Sequence, residues 1–168
     1  MSLVVEYQRR WPVDFLKIQD YILSSLRTYE SIEHIGSTSI PGMVAKPIID
    51  IMIVVPEGDM SQVIKELAHL EYRHQGDLGV IGREAFDYLP SHIDLPKHHL
   101  YACYPDNQQL SGTRAFREFL RGNEEWREKL SRLKLELDEK FASNRKSYMD
   151  GKKELVEEII GIAKKRQS

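Results

Sequence analysis

Ile35-Gly36-Ser37 and, after twelve intervening residues, Asp50-Ile51-Met52-Ile53 form the stretch whose reading decides the fold. Ser31 to Ile35 alternates over a short run, as a strand does. Gly36-Ser37-Thr38-Ser39-Ile40-Pro41-Gly42 is a turn of small residues that carry their own hydrogen-bonding groups. Lys46 to Val55 is almost continuously apolar and β-branched, which predicts a central strand buried on both faces, stopped by Pro56 and Gly58. Side chains alternate along a strand, so Asp50 and Met52 share a face.

A strand, a Gly-Ser turn and an acidic second strand have a chemical use in nucleotidyl transfer. Small turn residues let backbone and hydroxyl groups approach a triphosphate, while carboxylates two residues apart on the next strand hold divalent metal. The metals then stabilise the attacking and leaving oxygens of an in-line displacement. Here Met52 stands at the second carboxylate position, and a thioether is a poor magnesium ligand. Nor is the turn a P-loop, because no Gly-Lys pair follows Gly36 at the required spacing. The local pattern serves a plain structural turn equally well, with Gly36 and Gly42 shaping it and Asp50 accepting hydrogen bonds.

Working outward, Trp11-Pro12 opens a helix with proline in its first turn, and Phe15, Ile18, Ile22 and Leu26 carry it to about Tyr29. Val63, Ile64, Leu67 and Leu70 mark a second helix. Tyr72 to His74, Val80 to Arg83 and His98 to Tyr104 read as strands, with a proline-bearing loop from Asp87 to Lys97. From Thr113 onward the chain is helical. Phe116, Phe119 and Leu120 make a short helix closed by Gly122 and Asn123; Trp126, Leu130, Leu133, Leu137 and Phe141 mark a longer one. Ser143 or Asn144 caps a last helix whose inward side bears Tyr148, Leu155, Ile159 and Ile162. The expected organisation is one domain over residues 1–168, an α/β part at 1–110 with a helical region at 111–168 packed on it.

His98, Leu100 and Ala102 fall on one face of their strand; His99, Tyr101 and Cys103 fall on the other. If this strand lies beside the Asp50 strand, His99 can take the place of a further acidic ligand or act as a base. The alternative is a polar strand face of hydrogen-bonded histidines. His92 and Asp94 nearby match no structural zinc spacing. Positive charge for such a cleft would come from Lys46, Arg83, Arg117 or Lys152, the last on the inward side of its helix, where an ammonium must snorkel, pair or meet a ligand.

Composition narrows the classes. With 24 Lys plus Arg against 26 Asp plus Glu, the net charge of -2 does not favour broad nucleic-acid binding. A single cysteine, Cys103, cannot close an internal disulfide, which suits a reducing compartment. The first ten residues lack the apolar core of a secretory signal, and no apolar run is long enough to span a bilayer. The expectation is a soluble cytoplasmic protein with no membrane partner.

Glu33-His34-Ile35-Gly36-Ser37-Thr38-Ser39-Ile40-Pro41-Gly42 followed by Ala45-Lys46-Pro47-Ile48-Ile49-Asp50-Ile51 closely resembles the hallmark of the GrpB family. Trp11-Pro12, His99-Leu100, Ala115-Phe116-Arg117, Phe119-Leu120-Arg121, and Tyr148 with Lys152 agree with it, so the resemblance runs from about Tyr7 to Ile160. It implies a nucleotidyltransferase-like mixed sheet with flanking helices and a nucleotide or phosphate cleft; a related domain is fused to dephospho-coenzyme A kinase in some bacteria. It carries over His34, Ser37, Lys46, Asp50, His99, Arg117 and Lys152 as matching positions.

Together these readings predict binding of a nucleotide or similar phosphorylated small molecule. Gly36, Ser37 and Thr38 would contact phosphate, Asp50 would hold magnesium or manganese, and His99 would complete the ligand set or serve as base. Lys46, Arg117 and Lys152 would offset ligand charge, with His34 and Tyr101 as further cleft residues. The rival is a non-catalytic accessory domain, favoured by Met52. A histidine-based metal hydrolase built on His92, Asp94, His98 and His99 is the third reading.

Overall fold

The structure, a computed structural model, describes residues 3–89 and 94–167. Its first helix, α1 (Trp11–Leu23), begins with Pro12 in the opening turn, where the missing N–H costs nothing. It stops before the expected end near Tyr29 for a tertiary reason. The Glu66 carboxylate accepts the amides of Arg27 and Thr28 at 2.8 and 3.0 Å, and those amides would otherwise continue the helical ladder. The chain then enters β1 (Ser31–Ile35), a short 3₁₀ turn at Ser37–Ser39, and β2 (Ile49–Val54).

Glu66 itself lies on α2 (Met60–Ala68), whose Val63 and Leu67 are buried. Two strands form the following hairpin, β3 (Arg73–His74) and β4 (Arg83–Asp87). The strand expected at Val80 to Arg83 therefore lies four residues later at its far end. Gly76, Gly79 and Gly82 all take positive φ, and Asp77 accepts the amides of Gly79 and Val80, so residues 76–82 turn instead of extending. Next come β5 (His98–Cys103) and three helices: α3 (Gln108–Gly122), α4 (Glu124–Phe141) and α5 (Arg145–Gln167). α3 starts before Thr113 because Asn107 caps it, accepting from the amides of Gln109 and Leu110.

The sheet order is β1-β2-β5-β4-β3, with β2 and β5 parallel and the other pairs antiparallel. Register decides what each face receives. Ile49, Ile51 and Ile53 of β2 and Leu100 and Ala102 of β5 pack against Trp11, Ile18 and Ile22 of α1 and Val63 and Leu67 of α2. The other face presents Met52, Val54 and Cys103 to Leu110 of α3. At the start of the two strands it presents Asp50 directly beside His99.

α3 is tied to β1 by charge. Glu33 accepts from both Arg114 and Arg117, and Arg117 also donates to the His34 carbonyl at 3.0 Å. Arg121 donates twice to the Ser39 carbonyl, pinning the 3₁₀ turn to the end of α3. α5 crosses α4 closely: a Cβ on Gly151 would come 2.5 Å from Leu137 Cδ2, so a larger residue there requires the Leu137 side chain to move.

Candidate functional site

The Asp50 carboxylate sits at the mouth of the sheet, its side chain 32% exposed, and Oδ1 accepts from His99 Nδ1 at 3.0 Å. An ionised carboxylate only accepts, so Nδ1 carries a proton, and in the neutral imidazole Nε2 is then the acceptor, on a side chain that is 40% exposed. Gly36 packs against the same carboxylate. Its φ is +73°, and a Cβ there would lie 2.6 Å from Asp50 Oδ2. Any side chain at position 36 therefore meets both backbone strain and a collision, and the turn keeps its approach to Asp50 only as glycine.

Ser37, Lys46, Asp50, His99, Tyr101 and Lys152 border one cavity of about 210 Å³. Thr38 also borders it, but its hydroxyl is held by His34 Nε2 at 2.8 Å. His34 lies on the opposite sheet face, stacked on Phe15 with ring centroids 5.0 Å apart. Burial first, then the nearby Arg121 charge, lowers its pKa to about 4, so it is a neutral structural imidazole. Arg117 is engaged by Glu33 and does not border this cavity. Hence the structure brings together Gly36, Ser37, Lys46, Asp50, His99, Tyr101 and Lys152, and leaves His34 and Arg117 to hold β1 in place.

His98, by contrast, is sealed on the closed face at 2% exposure. Its Nδ1 donates to the Pro96 carbonyl at 2.7 Å and its Nε2 receives the Tyr72 hydroxyl at 2.7 Å, while Tyr88 stacks on the ring. Burial lowers its pKa, as both bonds of the neutral tautomer require. It points away from His99, Asp94 is exposed, and His92 lies outside the described residues, so the hydrolase constellation is not assembled among the described residues.

Lys134 of α4 and Arg145 and Tyr148 of α5 complete the cavity and were not foreseen. Lys134 is only 3% exposed. Its ammonium donates to Ser37 Oγ and, at 3.2 Å, to the Val44 carbonyl. Desolvation, followed by repulsion from Lys152, lowers its pKa to about 7. A signal existed: Leu130, Lys134 and Leu137 step by four and three, the spacing of a buried helix face. A wider, mostly apolar space of about 470 Å³ continues past Asp50 beneath Phe116, Met149 and Val156. Beside it, Arg83 lies over the Tyr101 ring at 4.2 Å, with its Nε buried and unpartnered among the described residues.

As a resident site for magnesium or manganese this donor set falls short. Asp50 and His99 are bonded to each other, Met52 is 1% exposed within an apolar cluster, and the described residues contain no group of three His, Cys, Asp or Glu side chains placed around a common point. Magnesium wants octahedral oxygen, and one carboxylate oxygen pair supplies little of it.

A Gly-Ser turn facing a strand carboxylate on a mixed sheet, walled by helices, is a nucleotidyltransferase-like fold. Among solved structures, Cid1 in complex with a UTP analogue superposes with a TM-score of 0.51 at 11% identity, covering 84% of this chain and 43% of Cid1. The chain belongs to the GrpB family, whose profile, described as GrpB protein, matches residues 2–161. It is similar to UPF0157 protein BH1888 of Halalkalibacterium halodurans, 30% identical over 159 residues, 94% of this chain and 80% of that one. The crystal structure of conserved protein GrpB from Enterococcus faecalis superposes with a TM-score of 0.86 at 30% identity, covering 98% of each chain. No helix among the described residues is long and apolar enough to cross a membrane.

Proposed function

We propose that the chain binds a nucleotide or another phosphorylated small molecule across Asp50, with phosphate on the Gly36-Ser37 turn. The observation that carries this reading is the buried Lys134 ammonium held on Ser37 Oγ beside a half-exposed carboxylate. Burying a cation is costly, the Asp50 carboxylate offsets only part of that cost here, and a bound anion would hold Lys134 protonated. Lys46 and Lys152 stand on the same side, and the apolar space under Phe116 offers room for a base or other flat group. The UTP analogue held by Cid1, a protein of this fold, supports the choice of ligand class. Magnesium or manganese would have to take most of its oxygens from ligand and water.

For transfer chemistry the proposed base is His99. Asp50 orients His99 through Nδ1, and Nε2 is free to take a proton from an acceptor hydroxyl. The second reading, a binding domain without chemistry, is supported by the burial of Met52 where a second carboxylate would act. Titration calorimetry with common nucleoside triphosphates, with and without magnesium or manganese, tests the binding claim. Micromolar to millimolar binding that is lost in Asp50→Ala is expected. No heat with any nucleotide in wild type rejects the proposal, and binding without turnover selects the second reading.

A further inference from the structure

Charge around the Asp50 cavity is unbalanced. Lys46, Lys134, Arg145 and Lys152 border it, and Asp50 is its one acidic lining residue. Four cations against one carboxylate leave an excess of three positive charges when all are protonated. Lys134 meets this with neutral acceptors alone, Ser37 Oγ and the Val44 carbonyl. The Lys46 and Lys152 ammonium groups lie 4.5 and 5.2 Å from the centroid of one Tyr148 ring, so two cations share a single aromatic ring. Burial lowers the pKa of all three lysines and neighbouring cations lower each further, against a smaller opposing pull from Asp138 on Lys46 and from Asp50 on Lys134 and Lys152. Asp138 accepts the amides of Leu3 and Val4, and its charge still acts on Lys46 and Tyr148, so it offsets part of this excess from outside the cavity lining.

We infer that these four basic groups, in place of a resident divalent ion, neutralise a diphosphate or longer phosphate chain, with Lys134 and Ser37 gripping one phosphate together. The inference rests on the binding proposed above and adds the source of the counter-charge. The donor set suits it: two mutually bonded groups make a poor metal site, whereas three ammoniums and a guanidinium make a good anion site. The number of separate cationic donors around the cavity selects the ligand. A phosphate monoester reaches only part of this spread of donors, while a chain of two or three phosphates sets separate oxygens against Lys46, Lys134, Arg145 and Lys152.

Calorimetry of the full chain with inorganic tripolyphosphate and with ATP, in excess EDTA and in excess magnesium, is the test. Both probes bind in EDTA no more than about threefold more weakly than in magnesium. Inorganic monophosphate binds at least about tenfold more weakly than tripolyphosphate, and Lys134→Met or Lys152→Ala weakens either probe by about tenfold or more, the loss of one charge-assisted hydrogen bond. ATP binding that appears only with metal, or that both substitutions leave unchanged, overturns the inference and leaves the nucleotide reading standing. Binding of neither probe under either condition overturns both.

Discussion

The two faces of one strand pair treat their polar groups in opposite ways. On the face under α1 and α2, His98 and Glu66 are buried and every polar neighbour answers them: Tyr72 and Pro96 for the imidazole; Arg27, Thr28 and Gln62 for the carboxylate. On the face under α3 to α5, Asp50 and His99 are half-open, Lys134 is buried on neutral acceptors, and Arg83 keeps an Nε unpartnered among the described residues. One face is closed for stability. The other leaves charged groups open to solvent or held by neutral acceptors, the pattern from which the proposed binding is argued.

The contrast breaks most visibly through the core. Ile51→Ala on the closed face should cost about 2–5 kcal/mol, because its side chain is fully buried among α1 and α2 residues. His99→Ala, one strand away on the open face, should stay within about 0.5 kcal/mol in the same urea unfolding experiment. Equal losses would mean that the open face is core as well.

A smaller effect separates the two buried charges. Desolvation raises the Glu66 carboxyl, but the hydrogen bonds from Arg27, Thr28 and Gln62 outweigh it and bring its pKa to about 2. Its folded pKa lies below the ordinary value of 4.5, so its contribution is complete above about 4.5 and fades as pH falls toward 2. Glu66→Gln should cost about 1–3 kcal/mol at pH 7 and flatten the acid limb of a stability–pH profile in that window. An unchanged acid limb would place the stabilising charge elsewhere.

The smallest effect has the opposite sign. Lys134→Met should raise stability by about 1 kcal/mol, since it removes a desolvated ammonium repelled by Lys46 and Lys152 and keeps the volume. Chemical denaturation of the unliganded protein measures it. A loss of more than about 1 kcal/mol would show Lys134 to be a structural bridge between α4 and the turn.

Much of this was legible in one dimension. Alternation along Ile49 to Val54 and His98 to Cys103 assigned each residue to a face correctly, because a strand repeats every two residues whatever packs on it. The Gly36-Ser37 turn and Asp50 stood out for the same local reason. What escaped were the end of α1, set by Glu66 far along the chain, and the start of β4, where Val80 to Gly82, read as strand, belong to the hairpin turn; the Arg117 pairing with Glu33 is likewise a contact between distant residues. Lys134, 97 residues beyond Ser37, belongs with them.

Local chemistry in the chain determined the elements, the strand faces and the family, since backbone preference and side-chain period act over a few residues. The tertiary structure alone decided that β2 pairs in parallel with β5 so that Asp50 meets His99, and that α4 and α5 bring three cations over them. Electrostatics reaches through space, and the partners it joins here are set by packing.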